Sequence, residues 1–215
     1  MIITEQKPME EIMEMLKDYS KILIIGCGTC ATECQTGGED QVKEMAEKLR
    51  ETGKKIVATI VPEATCDMRI TRLELNKVKD AVNEADAILV MACGAGVQAV
   101  YDLTEKICVP ALNTVFVGVT ERIGRFYERC RACGDCILYE TGGICPVARC
   151  PKGLMNGPCG GQANGKCEVG NWEYDCAWVK IYEALKKQGR LDLLLKVRMP
   201  KDYSKISIHR QVVWR

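Results

Sequence analysis

The chain has 215 residues, of which 47% are hydrophobic, and its 30 lysines and arginines nearly balance its 29 aspartates and glutamates. A near-neutral chain offers no electrostatic field for nucleic acid or for an anionic membrane surface, so neither is an expected partner. The longest apolar runs fall far short of the ~20 residues that cross a bilayer, and no secretory signal precedes the first strand. We therefore expect a cytoplasmic protein whose fourteen cysteines bind metal rather than form disulfides.

Strands and helices are predicted to alternate over the first part of the chain. The predicted helices are 8–17, 39–50, 69–82 and 97–106, and the predicted strands are 21–26, 55–61, 86–92 and 114–119. Alternation of this kind indicates βαβ units and a parallel sheet that is covered on both faces. We predict a small four-stranded parallel doubly wound α/β domain over 1–120. A cysteine-rich, loop-dominated metal-binding module over 121–180 and a helix with an extended docking tail over 181–215 are predicted to follow.

Five cysteines come shortly after three of the predicted strands. They are Cys27, Cys30, Cys34, Cys66 and Cys93. In a parallel α/β sheet the carboxyl ends of the strands open onto one edge, where ligands bind. The sequence therefore predicts a [4Fe-4S] cluster at this edge, held by the first three of these cysteines and by Cys66 or Cys93. The alternative is a set of small buried apolar thiols, which is the interpretation that we give to the separate Cys108.

The loop after the first strand also matches a dinucleotide-binding fingerprint. It spells Gly26-x-Gly28-x-x-Ala31, and Glu63 near the end of the next strand is a conceivable ribose partner. Gly26 and Gly28 are therefore candidate cofactor-binding residues. The predicted helix begins only at Glu39, however, and its amino end suits an anionic cluster as well as it suits a pyrophosphate. Either ligand explains the glycines, whereas only the cluster explains the cysteines.

A second group of cysteines has the spacing of a cluster-binding run. Its members are Cys130, Cys133, Cys136 and Cys145. Three thiols at two-residue gaps followed by a Cys-Pro pair are typical of bacterial ferredoxins. Ferredoxins place the last cysteine three residues on, whereas eight residues intervene here, with Gly142 and Gly143 supplying a turn. We interpret this group as ligands of an iron-sulfur cluster.

A third group of cysteines follows within a segment rich in turn-forming residues. Its members are Cys150, Cys159, Cys167 and Cys176. Their spacing leaves open whether they form their own set or interleave with the second group. Zinc also accepts four thiolates, but the single histidine, His209, lies in the tail, which argues against a mixed zinc site. We expect two or more [4Fe-4S] clusters, with zinc in one carboxyl-terminal four-thiolate site as the alternative.

Two basic segments have predicted roles. The first lies between the two parts of the chain and could either offset cluster charge or form a solvated helix face; it contains Arg122, Arg125, Arg129 and Arg131. The second begins after Met199 and ends with Val212, Val213 and Trp214. We expect this tail to lie across a partner protein.

The motifs together resemble the small iron-sulfur subunit of acetogen-type methylenetetrahydrofolate reductase, which is similar to the family named methylenetetrahydrofolate reductase C-terminal or zinc-binding domain. The resemblance is carried by Gly26-Cys-Gly-Thr-Cys-Ala-Thr-Glu-Cys34, Cys130-Arg-Ala-Cys-Gly-Asp-Cys136, Thr141-Gly-Gly-Ile-Cys-Pro146 and Asn156-Gly-Pro-Cys-Gly-Gly161. It implies a non-catalytic electron-transfer subunit that pairs with a flavin-bearing catalytic barrel. That barrel would reduce 5,10-methylenetetrahydrofolate to 5-methyltetrahydrofolate.

The source of the electrons and the role of the metal stay open at this point. A ferredoxin or a nicotinamide-linked protein is the expected donor. A structural zinc-binding scaffold of the same complex is the alternative function. The chain is too short to hold both its predicted elements and a (β/α)8 barrel, which typically needs about 250 residues, so it is not expected to be the reductase by itself.

Overall fold

The computed structural model describes residues 1–204 and 212, and the chain divides into two compact units between Tyr127 and Glu128. The strands are β1 (Ile2–Gln6), β2 (Lys21–Ile25), β3 (Lys55–Ile60), β4 (Ala87–Val90), β5 (Cys108–Pro110), β6 (Leu112–Arg122) and β7 (Arg125–Cys130). The helices are α1 (Met9–Met15), α2 (Cys30–Glu33), α3 (Glu39–Glu51), α4 (Met68–Lys77), α5 (Lys79–Glu84), α6 (Gly94–Thr104), α7 (Pro146–Arg149) and α8 (Ala177–Lys187). Most of the predicted docking tail, including His209, Val213 and Trp214, lies outside the described residues.

A four-stranded parallel sheet forms the centre of the amino-terminal unit, in the order β3-β2-β4-β5. All four residues from Ile22 to Ile25 of β2 are fully buried, which explains why this strand reads as a continuous apolar run. The chain order reverses between β2 and β4, so the switch point of the sheet lies at the carboxyl ends of these two strands. The predicted α/β class and the four-stranded parallel sheet are confirmed.

One predicted strand belongs to a different sheet. Residues 114–119 lie within β6, which pairs antiparallel with β1 in a second sheet of order β1-β6-β7. The prediction that they form the fourth parallel strand is wrong, because that position is taken by the three-residue β5. Strand β6 is exposed along much of its length, as antiparallel strands can be, whereas β5 is too short to give a pattern.

The predicted helices are present with altered ends. Helix α3 buries Val42, Met45, Ala46 and Leu49 and, with 13 residues, is the longest of the described helices. Predicted helix 69–82 is two helices, α4 and α5, divided at Val78. No helix within residues 1–204 is long and apolar enough to span a membrane.

Loops dominate the carboxyl-terminal unit. Its small core consists of Trp178, Ile181 and Leu185 of α8, packed with Cys176. Many of its turns use glycine with positive φ, and Gly142 shows why. Its φ is +62°, and an added Cβ would lie 3.1 Å from the side chain of Ala184, so both backbone conformation and space favour glycine there.

We predict that Leu23→Ala lowers the free energy of unfolding by about 2–5 kcal/mol, because Leu23 is fully buried in β2 and its loss leaves a cavity. Chemical denaturation of the full chain measures the change. Leu73→Ala is the matched control, since Leu73 is 64% exposed and its replacement should cost less than about 0.5 kcal/mol. Equal destabilisation by both substitutions would contradict the central position of β2.

Candidate metal centres

The loop after β2 uses its own backbone amides inside the unit. Gly26 donates to the carbonyl of Ile60 at 2.9 Å, Cys27 to that of Gly37 at 2.9 Å, and Gly28 to that of Pro62 at 2.8 Å. A pyrophosphate is normally held by free amides of this kind. These three amides are therefore not available to bind the pyrophosphate of a dinucleotide.

The two glycines of the fingerprint are explained by close packing. A Cβ at Gly26 would lie 2.5 Å from the carbonyl oxygen of Gly37 and 2.6 Å from the side chain of Val42. A Cβ at Gly28 would lie 3.1 Å from the Cα of Glu63. Glycine is needed where two backbone segments approach so closely. Gly26 and Gly28 thus position the cysteine loop against the sheet, whether or not a cofactor binds.

Four cysteine thiols gather at the carboxyl-terminal edge of the parallel sheet. Burial raises the pKa of the Cys66 thiol, and the charges of Cys93, Cys27 and Cys30 raise this pKa further. Like charges act in this way only at short range. We call Cys27, Cys30, Cys66 and Cys93 the first set. Its members come from the ends of β2, β3 and β4, as the parallel topology predicts.

Hydrogen bonds surround the thiol of Cys27. Burial by itself raises the pKa of Cys27, but hydrogen bonds from Thr29 and Thr65 outweigh burial and lower the pKa below its usual value. The Cys27 Sγ lies 3.4 Å from the hydroxyl of Thr29. The thiolate is the form that binds metals. The loop therefore supplies hydrogen bonds that suit a metal ligand.

Cys34 lies against β1. Its Sγ is 3.7 Å from the backbone carbonyl of Ile2, and its side chain lines a cleft with Thr4 and Phe116. The amide of Ile2 also donates to the Cys30 Sγ at 3.5 Å, so the thiols of Cys30 and Cys34 both contact the backbone of the same residue. Cys34 therefore stays a candidate ligand beside Cys30.

The second set, Cys130, Cys133, Cys136 and Cys145, lies on a tightly wound loop. Ala132 and Gly134 have φ values of 50° and 75°, so the chain turns back on itself between the cysteines. The Cys133 thiol donates to the carbonyl of Asp135, 3.6 Å away, whereas the amide of Ala132 donates to the Cys130 Sγ at 3.3 Å. Hydrogen bonds to sulfur, such as the one from Ala132, are among the features that tune iron-sulfur clusters.

A lysine distant in sequence reaches this second set. Burial by itself raises the pKa of Cys133, but hydrogen bonds with the backbone of Asp135 and with Lys201 outweigh burial and lower it. Burial lowers the pKa of Lys201, whereas Cys133, Asp135 and Cys145 raise it, with a net rise. Cys133 and Cys145 therefore both lie near the Lys201 ammonium. The sequence analysis missed Lys201, because no local pattern connects it with the cysteines.

The third set, Cys150, Cys159, Cys167 and Cys176, lines a single cavity of about 20 Å³. Trp178 also lines this cavity, and its indole donates to the carbonyl of Leu154 at 2.9 Å. Backbone hydrogen bonds from Cys167 to Tyr174 and from Cys176 to Gly165 fix the two later cysteines. The structure thus places these four cysteines together as one set. The cavity has room for about one water-sized particle.

All fourteen cysteines are free thiols. Within residues 1–204 and 212, no three cysteine, histidine, aspartate or glutamate side chains lie at the distances that hold a single metal ion. The thiolates of a four-iron cluster stand farther apart than the ligands of one ion, because the inorganic core lies between them. The described residues therefore show no closed single-ion site, and a cluster at the first or second set is a proposal.

The comparisons with known proteins point to one family. Residues 109–204 match the family described as methylene-tetrahydrofolate reductase C terminal. The match includes the second and third cysteine sets and supports the resemblance to a methylenetetrahydrofolate reductase-type subunit. Residues 1–108, with the first set, lie outside it. No curated protein and no solved structure matches the chain.

The arginines between the two parts of the chain lie on strands or next to them, so the alternative of a solvated helix face is wrong. Arg125 of β7 pairs with Glu121 at 3.1 Å, and Arg131 pairs with Glu128 at 2.8 Å. Both arginines are thus paired with carboxylates. Cys108 packs against the apolar core, and burial raises its pKa to about 11, in keeping with a structural thiol.

We predict that Cys93→Ser removes one cluster's worth of iron from anaerobically reconstituted protein, because Cys93 belongs to the first set. Cys108→Ser is the matched control and should leave the iron content unchanged. Iron and acid-labile sulfide are measured per chain. Full retention of iron in Cys93→Ser would refute this assignment of the ligand.

Proposed function

We propose that the chain is an iron-sulfur electron-transfer subunit of a methylenetetrahydrofolate reductase complex. It would relay electrons to a flavin-bearing catalytic partner that reduces 5,10-methylenetetrahydrofolate to 5-methyltetrahydrofolate. The observation that carries this proposal is the family match over 109–204 in a chain that gathers its thiols into sets. Described strands form one sheet of four and one of three, so the barrel chemistry is assigned to the partner.

The first and second sets are the proposed cluster sites. Both consist of cysteines alone, which is the usual donor set of a [4Fe-4S] cluster. A bound cluster would accept and release one electron at a time. The residues of this chain hold the thiols in place and favour their ionised form. Thr29 and Thr65 do so for Cys27, and Lys201 does so for Cys133.

We propose that the third set binds zinc. No three of its thiols lie at single-ion distances in the described residues, so they would close around the ion when it binds. A cavity of about 20 Å³ accommodates a single ion more readily than a four-iron core. Four thiolates with no open position are the ligands of a structural zinc site. Zinc there would stabilise the carboxyl-terminal unit, whose apolar core is small. We therefore propose two clusters and one zinc ion for the chain.

The small cavity of the third set also favours a second candidate function. In this alternative the chain is a zinc-binding scaffold of the same reductase complex and carries no electrons. The two functions differ in what the protein can pass to a flavin. A scaffold binds the partner without reducing it, whereas a relay does both.

Flavin reduction in the partner tests the proposed relay. The anaerobic chain is reduced with dithionite, freed of excess reductant and mixed with the oxidised flavoprotein that co-purifies with it. We predict loss of the flavin absorbance near its visible maximum. Air-oxidised chain serves as the control and should leave the absorbance unchanged. Partner binding without any flavin reduction would favour the scaffold over the relay.

Two truncations separate partner docking from metal binding. We predict that a chain ending at Ser204 keeps its metals but binds the flavoprotein more weakly, because it lacks the basic tail. A chain ending at Met199 also lacks Lys201, so its metal content at the second set should be altered. Co-purification yield and metal content are measured for both. Undiminished co-purification of the shorter chains would exclude the tail as a docking element.

A further inference from the structure

Lys201 is unusual because its charged side chain is almost fully withdrawn from solvent. Only 4% of the side chain is exposed, whereas lysines are almost never fully buried unless they are paired. Its ammonium donates to the backbone carbonyl of Asp135 and lies 3.7 Å from the Asp135 carboxylate. Burial of a charge is costly without such partners. The position of this cation therefore calls for an explanation.

The partners of Lys201 lie inside the second set. Asp135 stands between Cys133 and Cys136 in the sequence, and the Cys133 thiol points to the same Asp135 carbonyl that Lys201 contacts. The ammonium and the Cys133 sulfur thus share one acceptor and are neighbours.

The segment before Lys201 is held firmly on the carboxyl-terminal unit by Arg198. The Arg198 guanidinium donates to the carboxylate of Glu140 at 2.9 Å and to its backbone carbonyl at 2.8 Å. The Arg198 backbone exchanges two hydrogen bonds with the side chain of Asn156, at 2.7 and 2.9 Å. The guanidinium also lies 5.9 Å from the ring of Trp178. Lys201 is therefore delivered to the cysteines by an anchored segment.

Two other cations of this unit, Arg131 and Lys196, are placed differently. Arg131 pairs with Glu128 at 2.8 Å, and 59% of its side chain is exposed. Lys196, on the same segment as Lys201, is 71% exposed and lies 3.9 Å from Glu140. Solvent weakens the field of exposed charges much more than that of buried ones. Lys201 is thus the better placed of these three cations to act on the second set.

We propose that Lys201 is a built-in countercation of the second cysteine set and raises the reduction potential of the cluster held there. This inference rests on the proposed function. Reduction by dithionite adds one electron, and so one negative charge, to a site that four thiolates already make anionic. A nearby positive charge stabilises the reduced form more than the oxidised form, which raises the potential. Lys201 acts through the positive charge that it places beside the cysteines, and it does not contact a substrate.

Redox titration of the anaerobic full chain, followed by electron paramagnetic resonance, tests this role. Lys201→Met keeps the length of the side chain and removes its charge, Lys201→Arg keeps the charge, and Lys196→Met removes a charge from the same segment. We expect Lys201→Met to lower the reduced-to-oxidised ratio of one cluster about tenfold at a fixed potential, a shift of about 59 mV for one electron. Lys201→Arg and Lys196→Met should stay close to wild type, and the cluster of the first set should not shift in any variant.

An unchanged potential in cluster-loaded Lys201→Met overturns the inference and leaves the relay intact. If Lys201→Met takes up no cluster at the second set, iron content decides instead. Wild-type iron content in Lys201→Arg supports a role for the positive charge. Iron content that stays low in Lys201→Arg overturns that role. If the wild-type protein contains zinc in place of iron, the relay is refuted. In that case, equal zinc affinity of wild type and Lys201→Met also refutes the role of Lys201 as a countercation. Wild-type protein with neither metal refutes both.

Discussion

Bringing several thiols to one place is the constraint on which this structure depends. Ionised sulfur atoms repel each other, so each gathered thiolate needs a rigid backbone and a donor or cation beside it. Burial raises the pKa of Cys66, and the neighbouring thiols Cys93, Cys27 and Cys30 raise it further. Thr29 and Thr65 at Cys27, and Lys201 at Cys133, are the groups that counter such repulsion.

The two units meet this constraint in different ways. In the amino-terminal unit the buried parallel sheet brings thiols to one edge, because its strands all end there and the loops after β2, β3 and β4 each contribute at least one cysteine. The close approaches at Gly26 and Gly28 hold the first of these loops against the sheet. The carboxyl-terminal unit has little apolar core and relies on tight turns with positive φ at residues such as Ala132 and Gly142. Metal bonds would then supply much of its folding free energy.

The sequence predicted those parts of the fold that rest on strong local patterns. The apolar run of β2 and the helical spacing in α3 led directly to the α/β class, and the cysteines after the strands led to a common edge. The second sheet was not predicted, because β6 is largely exposed and pairs with β1, which lies at the opposite end of the unit's sequence.

The candidate sites were predicted less completely, because spacing gives no direction to a side chain. The Cys27-x-x-Cys30-x-x-x-Cys34 run predicted three ligands on one loop, but it did not reveal that the thiols of Cys30 and Cys34 both contact the backbone of Ile2. The grouping of the third set depends on backbone hydrogen bonds that the sequence does not reveal. Lys201 reaches the second set only because Arg198 anchors its segment to Glu140, a contact between residues far apart in the chain.

Metal and acid-labile sulfide analysis of the anaerobically purified full chain tests most directly whether these gathered thiols hold iron-sulfur clusters. We predict brown protein with equal amounts of iron and sulfide, sufficient for two [4Fe-4S] clusters, together with about one zinc ion per chain. Colourless protein that contains zinc without iron or sulfide would contradict the electron-relay function.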